Sequence, residues 1–355
     1  SGVGRNLIKL VAEGKFIDGY WRSVAGNYGA PNPRLAVYVL GFFSILTDVL
    51  FMQNVGVYTI PPDQSIRFLN SLFSVGSIVL FYWILMLLTN SIRFSFIGII
   101  LLFSSQVFRS MAWYIYTDNL LMLLSFAALY YALKIWTMKK QESPPPKYFV
   151  YLGLFSGLAL STKMYALGLL PMVMVVGIGQ LIEYRRKVLS PVVLMFLLIP
   201  FVFLLSNPLL WWDQVYGLRM MTFGHIEIWD TNILQNNTSA VIPLYYTFNH
   251  FFPRMIPGEV KFLSATWWMW LVMALGVLLS VIGVVSAKIR GKAIVFLFFM
   301  GYFAVILRVS CAMRPSWFWI KTVMMPAAGA IMMSTLGILV IVRKLSKIFR
   351  RMSSP

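Results

Sequence analysis

The chain has 355 residues, 59% of them hydrophobic and only 12% charged. A soluble domain keeps about a quarter of its residues charged, so this chain lacks the polar surface to coat itself in water, which excludes a soluble enzyme or binding module. A net charge of +19 is no nucleic-acid footprint either, because the basic residues fall in short clusters between apolar runs, the pattern that orients membrane proteins with positive loops inside. Cys311 is the single cysteine, which rules out an internal disulfide and a multi-cysteine metal site.

Apolar runs lie near 35–58, 66–88, 94–110, 117–136, 148–163, 165–182, 190–206, 265–287, 293–309 and 322–342. Several reach the ~20 residues that cross a bilayer core, and together they predict an all-α polytopic transmembrane bundle of about nine or ten helices. The chain opens at Ser1, with neither Met nor a signal peptide, and its start reads as trimmed. The first run, "LAVYVLGFFSILTDVLFMQNVGVY", is interrupted by Asp48, Gln53 and Asn54. A carboxylate at bilayer depth costs ~2.5–3.5 kcal/mol on insertion scales. That segment either spans or lies flat in the interface, and both readings stay open.

Later runs are punctuated by four basic clusters: Lys134, Lys139, Lys140 and Lys147; Arg185, Arg186 and Lys187; Lys288, Arg290 and Lys292; and Arg343, Lys344, Lys347, Arg350 and Arg351. With all four cytoplasmic, the intervening runs cross out and back, turning outside at "STKMYA" (161–166), in the 207–264 loop and at 309–321. Arg93 falls at an inner turn, and "QESPPPK" (141–147) is a connector that cannot continue a helix. Counting back from Lys134 places Asp118 at the outer mouth of its run, near Arg109. The organisation expected is a first outer loop with juxtamembrane helices (1–65), an N-terminal transmembrane bundle (66–206), a long outer loop (207–264), and C-terminal helices with a basic cytoplasmic tail (265–355).

Ionisable groups at membrane mouths are where function concentrates. On the outer side these are Arg109, Asp118, Lys163, Asp213, Arg219, His225, Glu227, Asp230, Arg308, Arg314 and Lys321. Each also has a plainer reading. Thr117-Asp118-Asn119 before an apolar run is a good helix start, with Asp118 as the cap. Lys163 reads as a snorkelling lysine at a tight turn, yet a cation there runs against the charge bias and calls for compensation, which a lipid-linked phosphate would give. His225 and Glu227, two apart in "GHIEIWD", would share a side of an extended segment as an acid–base or metal pair. Lacking a third ligand, they read more plainly as a solvated loop; no metal site is assigned, and a divalent metal requirement stays open. Arg314 and Lys321 share a face if their segment is helical, and the nearby "WFW" (317–319) reads as an interfacial aromatic belt. "NNTS" (236–239) holds overlapping glycosylation sequons, meaningful only in a eukaryotic secretory setting.

Four stretches also carry a resemblance: "YTDNLLMLLSFAALYYAL" (116–133), "YLGLFSGLALSTKMYALGLLP" (151–171), "SNPLLWWDQVYGLRMMTFGH" (206–225) and "PRLAVYVLG" (33–41). In order and spacing they resemble the GT-C membrane glycosyltransferases of the protein-mannosyltransferase and aminoarabinose-transferase type, which use polyprenyl-phosphate sugars. The resemblance implies a GT-C helical fold, with 35–58 as a juxtamembrane helix in the first outer loop. It implies transfer of a sugar from a dolichyl- or undecaprenyl-phosphate donor to a protein, lipid or glycan acceptor outside. Asp118 would then be a catalytic acid, Lys163, Arg314 and Lys321 would bind the lipid phosphate, and His225 and Glu227 would serve the acceptor. Arg308, Arg314 and Lys321 depart from the family's "R-Y-x-x-P" pattern. The family's main acidic motif precedes a short helix ending near a glycine, as "NLIKLVAEGKF" (6–16) does, so the main carboxylates are expected upstream of Ser1. Partners implied are the lipid-linked donor, the acceptor and membrane lipids, with no nucleic acid, in a bacterial plasma membrane or a eukaryotic endoplasmic reticulum. Two rivals stand beside this reading: a non-catalytic GT-C relative serving as a subunit of a membrane complex, and a transporter of a lipid-linked substrate, which would need paired broken helices in two related halves.

Overall fold

The computed structural model describes residues 62–105, 107–108, 118–138, 143–206, 247, 267–310 and 315–352. Within them lie nine α-helices and no strand: α1 (Pro62–Thr89), α2 (Ile92–Ser104), α3 (Asp118–Thr137), α4 (Pro146–Thr162), α5 (Leu170–Tyr184), α6 (Leu189–Leu205), α7 (Trp267–Ser286), α8 (Lys292–Ser310) and α9 (Pro315–Met352). A 3₁₀ turn, Met164–Leu169, leads into α5, and another, Arg185–Val188, joins α5 to α6. The 35–58 stretch lies outside the described residues, so its spanning or interfacial placement rests on the resemblance alone.

Side-chain pairings fix which helices run together. Between α1 and α3, Phe81 meets Phe126 at 5.6 Å, a Cβ on Gly76 would touch Leu123, and Gly291 lies against both Leu88 and Leu133. Numbers rise together, so the two helices are parallel and α2 is the return pass. Pairings between α3 and α4 run the other way: Asp118 meets Lys163 at 2.7 Å, whereas Tyr131 stacks on Phe155 at 5.8 Å. Along α4 and α6, Gly153 faces Met195 and Gly157 faces Ile199, while the Ser161 hydroxyl reaches the Val202 carbonyl at 3.4 Å. These two are parallel again. Gly177 meanwhile packs on Phe196, which only a hairpin about Arg185–Val188 allows. The apolar run Met164–Leu205 is therefore two passes, not one long helix. Arg185 turns the chain with φ 51 and ψ −125, a positive-φ conformation that a side chain with a Cβ rarely adopts.

Small residues set the closest approaches, as lipid-embedded helices require in the absence of a hydrophobic drive between them. The "GLFSG" stretch of α4 lays Gly153 and Gly157 on α6 backbone. Gly283 of α7 and Gly337 of α9 press on the carbonyls of Met333 and Leu279, and Ser280 bonds Ser334 across the same crossing at 3.0 Å. Buried hydroxyls elsewhere close on their own helix: Ser77 donates to the Phe73 carbonyl and Thr335 to that of Ile331, both at 2.8 Å. Such back-bonding removes polar groups that lipid would leave unmet at several kcal/mol each. Outward faces carry large exposed apolar side chains, among them Trp83, Leu197, Phe201 and Leu278. Arg67–Thr89, Asp118–Thr137 and Val323–Arg351 are each long and apolar enough to cross a membrane. The protein is an integral membrane protein.

Two helices differ most from the sequence reading. Helix α2 stops at Ser104, where Ser105 turns extended at ψ 120, instead of continuing to 110. Helix α9 begins earlier and ends later than 322–342, because Pro315 suits a first helical position and the basic tail stays helical to Met352.

Candidate functional site

Helix α4 ends where Lys163 leaves helical geometry (φ −156, ψ 143), its own N–H still bonded to the Ala159 carbonyl. The 3₁₀ turn that follows runs backbone to backbone with α8 at Gly168 and Gly301, which holds the end of α4 against the bundle. Helix α3 begins at Asp118 on the same side. Lys163 Nζ donates to Asp118 Oδ1 at 2.7 Å. Asp118 is 1% exposed and Lys163 15%.

Three effects reinforce this pair. The bond is short and charge-assisted at both partners. Asp118 occupies the N-terminal turn of α3 and Lys163 the C-cap of α4, so each charge sits at the helix end of opposite partial charge. Lys163 Nζ also lies 5.7 Å from the ring centre of Tyr165, a favourable cation–π contact. Against these stands the desolvation of two ions, several kcal/mol each. One atom is left over: among the described residues, Asp118 Oδ2 is buried with no hydrogen-bond partner.

A second polar contact lies one layer deeper. Ser125 donates its only proton to the Leu121 carbonyl at 2.7 Å, so the contact at 2.6 Å between Ser125 Oγ and the Tyr302 hydroxyl has Tyr302 as donor. It joins α3 to α8 beneath the ion pair, beside the Gly168–Gly301 approach.

The capping role read for Asp118 needs correction. Asp118 is the first helical residue, and among the described residues its carboxylate accepts from Lys163 and from no backbone N–H. Proximity of a buried ammonium outcompetes the weaker neutral donor. Nor does Lys163 snorkel, since its ammonium turns to Asp118 rather than to water. Arg109, Asp213, Arg219, His225, Glu227, Asp230 and Arg314 lie outside the described residues. Lys321 and Arg308 are on described helices, α9 and α8, but outside the described side chains. Among the described residues no cluster of three His, Cys, Asp or Glu could hold a metal ion. Sequence reading missed Tyr165 and the Ser125–Tyr302 pair. Tyr165 was signalled weakly, two positions after Lys163; Ser125 and Tyr302 are 177 residues apart and carried no signal.

The family profile described as dolichyl-phosphate-mannose-protein mannosyltransferase matches residues 11–224, a stretch that includes Asp118 and Lys163. No curated protein matches the chain. Among solved structures, it resembles ArnT from Cupriavidus metallidurans bound to undecaprenyl phosphate, with TM-score 0.59 and 14% identity over 98% of this chain and 57% of that one. Likeness to the same protein in its apo state gives TM-score 0.52 and 14% identity over 97% and 56%. The chain thus spans rather more than half the length of those structures, and at this identity the likeness is one of fold, the GT-C helical fold.

Proposed function

Because the chain belongs to the dolichyl-phosphate-mannose-protein mannosyltransferase family, we propose that it works as a membrane glycosyltransferase, moving a sugar from a polyprenyl-phosphate donor to an acceptor on the extracytoplasmic side. The single observation that carries the reading is the buried Asp118–Lys163 pair. It sits at the end of α3 remote from Lys134 and the Arg290 turn, so positive-inside orientation puts it outside. The ligand seen in ArnT, undecaprenyl phosphate, is consistent with a donor of that class.

In the proposed reaction the bond between the anomeric carbon and the phosphate oxygen breaks, and its electron pair leaves with the phosphate. An acceptor oxygen or nitrogen forms the new bond to that carbon, and its proton passes to a carboxylate acting as general base. Lys163 meets the charge gathering on the departing phosphate, a role in which a fixed donor in a dry site is worth most. Arg314 and Lys321 are proposed to share that load. Asp118 faces the sugar, and His225 and Glu227 of the 207–264 loop serve the acceptor. Apolar helix faces take the isoprenoid tail, whose burial contributes about 25 cal/mol per Å².

The test is sugar release from radiolabelled polyprenyl-phosphate sugars by the purified full-length protein beside Asp118→Asn and Lys163→Ala. Turnover that collapses in both variants is the expected result. A folded wild-type protein that turns over no donor would overturn the reading and leave a GT-C scaffold without catalysis.

A further inference from the structure

We propose that Asp118 makes the site discriminate between its two lipid ligands, favouring the sugar-loaded donor over the spent polyprenyl phosphate left after transfer. The inference rests on the donor reading above. Asp118 Oδ1 holds Lys163 Nζ at 2.7 Å, so any phosphate that uses Lys163 arrives beside a carboxylate. At 1% exposure, water cannot screen that carboxylate or replace a partner it loses. Its Oδ2 is buried and has no hydrogen-bond partner among the described residues, which leaves it able to accept from a bound ligand.

The two ligands meet these features differently. A loaded donor is a phosphodiester with one negative charge, and its sugar hydroxyls can donate to Oδ2. Spent carrier is a phosphomonoester, with about −1.5 to −2 charge at neutral pH and no sugar hydroxyl beside it. It brings extra repulsion against Asp118 and leaves Oδ2 unmet. The lysine ammonium attracts the more highly charged monoester more strongly, a preference for the spent carrier that the carboxylate bonded to it offsets. Asp118 therefore lowers affinity for the product while supporting the substrate, and the carrier leaves after transfer.

A positioning role for Asp118, holding Lys163 in place, predicts the opposite sign, because loss of the carboxylate would then weaken phosphate binding. Binding of polyprenyl phosphate to the full-length protein in nanodiscs, wild type against Asp118→Asn, separates the two. The expected result is about tenfold tighter binding of the spent carrier by the variant, equivalent to ~1.4 kcal/mol, with no gain for the loaded donor. Equal or weaker binding of the spent carrier would overturn the inference. If Asp118→Asn does not fold, Asp118→Ser is measured in its place: tighter binding of the spent carrier is the expected result, and equal or weaker binding would overturn the inference. A Lys163→Met variant separates the failure of the underlying reading: if wild type does not bind polyprenyl phosphate, or Lys163→Met binds it equally well, the donor site itself is wrong.

Discussion

Helix α3 carries a charge at each end, and the two ends treat it differently. Asp118 in the first turn and Lys134 in the last both oppose the helix dipole by about the same amount. Asp118 is sunk in the bundle and bonded to an ammonium from another helix. Lys134 is half-buried, with its Nζ 5.5 Å from the ring centre of Tyr130 and no carboxylate within reach among the described residues. Contacts near that end go to backbone carbonyls, with no carboxylate involved: the Trp136 indole donates to the Arg290 carbonyl at 3.1 Å, and the Arg290 guanidinium to the Met138 carbonyl at 3.3 Å. Charges at the Lys134 end are those a membrane protein uses to set its orientation, and water serves them. At the Asp118 end the protein bears the cost of desolvation. A chain with 11 acids among 355 residues has few to place this way, which favours that end as the working one.

Breaking the pair at Lys163 sharpens the contrast most. Lys163→Met strands a buried carboxylate, and its expected cost is about 3–5 kcal/mol, read as a large fall in thermal stability of the purified protein. Adding Asp118→Asn should return most of it. A double variant as unstable as the single one would mean that Lys163 matters for packing and not for charge. Tyr302→Phe probes the layer beneath. It removes one interhelical hydrogen bond without opening a cavity, and a loss of about 0.6–1.7 kcal/mol is expected. A neutral result would detach the Ser125–Tyr302 contact from the support of the outer end. At the inner end, Lys134→Gln should cost less than about 1 kcal/mol and leave sugar transfer unchanged. Should it destabilise as much as Lys163→Met, the two ends are alike and the comparison fails.

Much of the architecture was legible in order along the chain. Runs of apolar residues marked the nine described helices, to within a few residues for all but α2 and α9, and the basic clusters gave alternating directions that the parallel pairings of α1 with α3 and α4 with α6 reproduce. Ends were less legible, as at Ser104 and Pro315, because a helix stops where packing and turn geometry change, not where hydropathy does. Asp118 and Lys163 were both singled out, but separately, each with a local explanation. They lie 45 residues apart, and nothing in either neighbourhood says that they meet.

What the sequence determined by itself was therefore the class, the succession of passes and the family resemblance, since apolar periodicity, charge bias and motif spacing are properties of the chain taken locally. Tertiary structure decided the rest. Glycines at 153 and 157 let α4 and α6 close, and Gly168 against Gly301 holds the following turn on α8. Those approaches bring Lys163 within 2.7 Å of Asp118 while leaving Oδ2 without a partner among the described residues. A cap and a snorkel in the linear reading become one buried ion pair, because in a low-dielectric interior a charge is governed by its nearest opposite charge, and only the fold determines which one that is.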